Sequence, residues 1–108
     1  MLFKEPEVMR RTDIDLNQAA LKLMGDALSV GFVARNGWDP THNIVHAWIL
    51  AEEAGLSVYR LENTDKWWSG VLYGNAGGDY DWVVGPVEAK KATRAITCAF
   101  LLVMEKEE

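Results

Sequence analysis

Two histidines four residues apart, His42 and His46, are the first residues whose types and spacing could do chemistry. On an α-helix this spacing presents both imidazoles to one side, as a shared metal ion requires. A third ligand is needed. Glu53, two turns beyond His46, lies near the same side but too far along the axis to close a shell with both. Asp39, or a distant residue such as Asp79, would complete the set only through the fold. The competing reading is a pair of partly exposed histidines on a helix surface.

The aromatic set Trp67, Trp68, Tyr73, Tyr80 and Trp82 is the more interesting cluster. In paired strands Trp67 and Trp68 point to opposite faces, so one enters the core and the other is left toward solvent or a partner. An exposed indole beside Tyr80 or Trp82 makes a stacking or protein-contact surface. The alternative is that helices cover both sides of the sheet. In a small-ligand version, Trp67 or Trp68 and Trp82 stack on a planar ring while Arg60 or Lys66 meets its charge.

Other constellations are plainer. The glycine-rich loop from Gly74 to Gly78 matches neither a dinucleotide fingerprint nor a P-loop and precedes no helix, so a permissive hairpin explains it. Glu52-Glu53 and the pair Asp79 and Asp81 read as solvated carboxylates, since acid–base work needs a shifted pKa that residue order does not reveal. Cys98 is the single cysteine, which excludes an intramolecular disulfide and reads as a packed thiol.

Composition bounds the rest. A chain of 108 residues, 49% apolar and 25% charged, is the size and make-up of one globular domain, residues 1–108. The formal charge of −5 argues against general affinity for phosphate backbones. The start, Met1-Leu2-Phe3-Lys4-Glu5-Pro6, lacks the apolar core of a signal peptide, and no apolar run spans a bilayer. A soluble cytoplasmic protein with neither membrane association nor a cofactor is expected.

The elements that must position these residues follow from periodicity. Residues 1–11 read as an extended arm. Thr12 and Asp15 offer a capping box for a helix over residues 13–28, with Leu16, Ala20 and Leu23 at helical spacing. Gly31–Arg35 is either a short strand or a turn. Asp39 reads as the N-cap and Pro40 as the first residue of a second helix that turns Ile44, Ala47, Trp48 and Ala51 inward and stops at Gly55.

A period of two then marks three strands, residues 56–62, 67–73 and 80–84, the last ending at Gly85-Pro86. From Val87 the helical period returns and becomes apolar nearly all round at Ala99–Met104. Either this helix sits centrally on the sheet or its outer side, at Phe100, Leu101 and Leu102, meets another subunit. The fold class is α+β: a small antiparallel sheet of three strands, or four if Gly31–Arg35 joins, with helices packed on it in the order α-α-β-β-β-α.

Trp38, Pro40, Thr41, Ala47 and Trp48, with Ala92-Thr93-Arg94-Ala95-Ile96 in the final helix, resemble the phage ABA-sandwich domain family of small bacteriophage-encoded proteins. Its pattern carries an acid where Asn43 stands, and residues 26–37 are longer than that pattern. The resemblance implies a phage or prophage origin and a sheet with helices on it. It implies no activity and carries over no catalytic residue.

The leading expectation is a nonenzymatic accessory protein that binds a host or phage protein through the aromatic sheet surface and the apolar end of the last helix, inhibition of a host defence system being one form of this. Self-association as a homo-oligomer is expected through that surface or the last helix. The rivals are a small-ligand or nucleotide-sequestering protein and a metal-dependent enzyme using His42 and His46.

Overall fold

The computed structural model describes residues 7–25, 28, 37–74 and 80–106, apart from the side chains of residues 73, 74, 80 and 106. Thr12 caps helix α1 (Asp13–Met24), its hydroxyl accepting from the Asp15 N–H at 3.2 Å. Asp13 and Asp15 occupy the first turn, where the helix dipole favours negative charge. The helix ends at Gly25, at φ +52°, four residues short of the expected span.

The extended-arm expectation is corrected over its second half. Glu7–Arg10 forms a single 3-10 turn that buries Val8. The Arg94 guanidinium fixes this turn, donating to the carbonyls of Met9 at 2.9 Å and Arg11 at 2.8 Å. Residues 1–6 of the arm lie outside the described residues, as does the Gly31–Arg35 segment weighed as a fourth strand.

Helix α2 (Ile44–Ala54) starts later than its sequence suggests, because Asn43 rather than Asp39 is the N-cap. The Asn43 side-chain oxygen accepts from the N–H groups of Val45 at 2.9 Å and His46 at 3.3 Å. Asp39 opens a separate turn instead, its carbonyl accepting from His42 at 3.1 Å and Asn43 at 2.8 Å. The buried side of α2 is correspondingly His46, Ala47, Leu50 and Ala51, while Ile44 and Trp48, expected inside, are each 53% exposed. Gly55 closes the helix in the left-handed conformation, where a glycine carries no Cβ penalty.

Three antiparallel strands follow: β1 (Ser57–Arg60), β2 (Trp67–Gly74) and β3 (Tyr80–Ala89), in the order β1-β2-β3. β3 continues through Gly85-Pro86 instead of ending there, because it absorbs irregularity as bulges. Ser69 pairs with Val87, Val71 with Val84 and Leu72 with Trp82, so β3 carries one extra residue at 85–86 and another at Val83.

Helix α3 (Ala92–Lys106) packs on β2 and β3 with one side and against α1 and α2 with the others. The central placement accounts for its apolar circumference. Phe100 and Leu101 are completely buried within the chain and Leu102 is half-buried against the core, so Phe100 and Leu101 are corrected from a subunit interface to the interior. Among the described residues, no helix is long and apolar enough to cross a membrane.

Candidate binding face

Strand alternation divides the sheet residues between two faces. Ser69, Val87 and Ala89 are buried beneath α3. Their neighbours Trp68 and Glu88 therefore point the other way, as does Tyr59, which lies directly opposite Trp68. The two bulges then act on Trp82. Without them it would pair with Gly74; with them it pairs with Leu72, about 7 Å nearer to Trp68 at the usual rise per residue. The side chain remains on the face of Trp68, and the rings meet.

The resulting cluster has defined geometry. Trp82 and Tyr59 have ring centroids 6.0 Å apart with planes at 83°, and Trp82 and Trp68 are 6.2 Å apart at 74°. Both are edge-to-face contacts, which suit the ring quadrupoles better than a direct sandwich. Gly70 lets Trp82 lie this close to the strand: a Cβ there would stand 3.0 Å from Trp82 Cε3 and 2.3 Å from the Val84 carbonyl oxygen. The Trp68 indole N–H donates to Glu88 Oε1 at 3.0 Å, and Lys66 Nζ lies 3.4 Å from Glu88 Oε2. Tyr59 remains 50% exposed, and Trp68 and Trp82 are half-buried.

The structure thus brings together only part of the expected aromatic set. Trp67 is half-buried and lies on the helix-side face, opposite Arg60 in register, so neither Trp67 nor Arg60 joins Trp68 and Trp82. Lys66 is the cation at the cluster. Tyr73 and Tyr80 hold strand positions opposite Asp81 and Gly74, and their side chains lie outside the described residues. Tyr59 and Glu88 are additions that sequence reading missed; the period-two alternation in Ser57–Arg60 held the signal for Tyr59, once Trp68 is its partner.

The two histidines separate. His42 sits in the turn before α2 and is exposed, whereas His46 is on the helix and 2% exposed. They do not share a helix side, because α2 begins after His42. His46 stacks on Trp38 at 5.3 Å and 13°, and its Nδ1 accepts from the Asp39 N–H at 3.0 Å. Burial lowers its pKa, against the opposing pull of the Asp39 charge.

His42 instead joins a polar junction between α1 and the turn. Asp39 Oδ1 accepts from His42 Nδ1 at 3.0 Å, Asn17 Nδ2 at 2.8 Å and Thr41 Oγ1 at 3.1 Å. Those bonds, the His42 one foremost, hold the Asp39 carboxyl below its ordinary range although partial burial opposes them. His42 Nε2 lies 3.3 Å from Asp13 Oδ2, and Asp13 also pairs with Arg94. The junction therefore ties α1, the turn and α3 together.

Among the described residues, no group of three or more His, Cys, Asp or Glu side chains could hold a metal ion. Asp79 lies outside the described residues, as do residues 75–78 of the glycine-rich loop, while Glu52, Glu53 and Asp81 are exposed. Cys98 is buried, and that burial pushes its thiol pKa up to about 11, which disfavours the nucleophilic thiolate. No family model, curated protein or solved structure matches this chain.

Proposed function

We propose that the protein acts by binding another protein through the sheet face that carries Tyr59, Trp68 and Trp82, as a nonenzymatic accessory protein of a bacteriophage or prophage. The observation behind this reading is the contiguous ring cluster on the face turned away from α3, with Tyr59 half exposed. Aromatic side chains are the usual anchors of interfaces because they offer large area at low conformational cost. The Trp68 N–H already has Glu88 as its acceptor, so covering this face leaves that donor paired.

The net charge of −5 favours a partner of opposite sign, which accelerates encounter as well as selecting orientation. The phage origin rests on the resemblance carried by Trp38, Pro40, Thr41, Ala47 and Trp48. Capture from lysate of a phage-infectable host tests the binding. The wild type should retain a partner that Tyr59→Ala and Trp82→Ala lose while keeping the wild-type circular dichroism spectrum. Equal capture by all three proteins, or no capture by any, refutes the reading.

A further inference from the structure

We infer that the outer side of α2 pairs with the same side of a second copy of this chain, the two helices running antiparallel about a two-fold axis. This surface is separate from the sheet face and does not depend on the reading given to it. His46, Ala47, Leu50 and Ala51 turn α2 onto the core, which leaves Ile44, Val45 and Trp48 more than half exposed on the opposite side, with Ile49 half-buried at the margin. Ile44 lies beside Trp48 and Val45 beside Ile49, one turn apart, so the four make two adjacent apolar rows. Large apolar side chains exposed side by side mark a contact surface, where scattered single ones would need no explanation.

Spacing and charge say what covers it. Reversing the helix about the midpoint between His46 and Ala47 exchanges Ile44 with Ile49 and Val45 with Trp48. Apolar side chains therefore meet apolar ones along the whole contact, as a two-fold interface demands of a surface that must complement itself. The charges of α2 run against its own dipole: its first turn has no acidic residue, its last turn has no basic one, and exposed Glu52 and Glu53 stand near its C-terminal end.

The reversed copy resolves that conflict. Its Glu52 falls three residues beyond Ile44, about 4.5 Å past the first helical residue at the usual rise, where the positive end of the dipole favours an acid. Exposed His42 borders this end, and the nearby carboxylates of Asp39 and Asp13 are already engaged by His42 and Arg94. Each copy supplies the charge that the other's helix lacks. A helix of 11 residues is about 16 Å long, so the strip covers less than the roughly 800 Å² per partner of a standard stable interface. The dimer is accordingly weak, with a Kd of about 100 μM.

Sedimentation equilibrium of the full chain between about 10 μM and 1 mM reads the association, and the wild type is expected to pass from monomer to dimer across that range. Trp48→Ala should weaken dimerisation at least tenfold. Glu52→Lys separates pairing from folding, because a cation in the last turn suits the helix's own dipole: Tm should hold or rise while dimerisation weakens at least threefold. A nitroxide on Glu53→Cys, in copies mixed with isotope-labelled wild type, should broaden the wild-type amides of His42–Val45.

A wild type still monomeric at the highest concentration overturns the inference, as does a dimer that ignores either Trp48→Ala or Glu52→Lys. Broadening centred on Glu52–Gly55, the mark of parallel pairing, overturns it too. Dimerisation lost in Trp82→Ala but kept in Trp48→Ala assigns self-association to the sheet face instead. Partner capture lost in Trp48→Ala, from a wild type that does not dimerise, gives the α2 surface to a foreign protein, and either result sinks the second copy.

Discussion

Gly70→Ala is the substitution that most directly probes how the aromatic face is built. The added methyl group would be placed 2.3 Å from the Val84 carbonyl oxygen and 3.0 and 3.1 Å from Trp82 Cε3 and Cζ3. The indole can shift, but the carbonyl belongs to the paired strand, so β3 must move or its ladder must break. Overpacking of this kind costs about 3 kcal/mol. In a domain of this size each kcal/mol lowers Tm by roughly 4–8 °C, which puts the loss at about 12–24 °C.

Thermal unfolding followed by far-ultraviolet circular dichroism measures the loss, and tryptophan emission below the transition reports the displaced ring. Gly55→Ala is the comparator. Its Cβ meets nothing within 4 Å, so only the left-handed backbone at φ +65° opposes it, at about 1 kcal/mol. That variant should lose about 4–8 °C and keep the wild-type emission. A Gly70→Ala protein melting within about 3 °C of the wild type would refute the packing of Trp82 on a bare strand backbone.

Asn43→Ala should cost about 1 kcal/mol in urea unfolding, since two helix N–H groups lose their acceptor, whereas the same measurement would locate the cap at Asp39 if only that residue proved sensitive. Stability should fall as pH drops below the ordinary histidine value of 6.5: the folded His46 has a lowered pKa, so the unfolded chain binds the proton first. His46→Gln should flatten that limb in urea titrations between pH 7.5 and 5, leaving the further loss below the ordinary Asp value of 3.8 that the lowered Asp39 pKa dictates. Arg94→Met should cost about 1–3 kcal/mol and raise amide hydrogen exchange in Glu7–Arg11, because two carbonyls of that segment lose their donor.

Periodicity made the order of elements legible: Thr12 as a cap, Gly55 as a stop, and the shift from a 3.6-residue to a two-residue repeat after Leu56. Caps that compete within a few residues were harder. Asp39-Pro40 carries every local mark of a helix start, yet its carboxylate is engaged by Asn17, a residue 22 positions away, and Asn43 takes the capping role. That long-range contact has no local signature. Tyr59 lies on a strand of only four residues, and which of Trp67 and Trp68, and which of Arg60 and Lys66, shares a face with Trp82 depends on register, which residue order does not reveal. The bulges at Val83 and at residues 85–86 were illegible for the same reason, as bulges exist only relative to a partner strand.

The position of α3 has a consequence for how this chain acquires its structure. Of the described elements, this one, the last in sequence, contacts the 3-10 turn at Glu7–Arg10, helices α1 and α2 and strands β1, β2 and β3. During synthesis from the N-terminal end, the earlier described segments emerge before the α3 residues Ile96, Ala99, Phe100 and Leu101 that complete the core cluster with Leu16, Leu50 and Val87. Consolidation waits for Ala92–Lys106 to clear the ribosome, so a premature stop before Ala92 yields a product for chaperones or proteases rather than a smaller working domain.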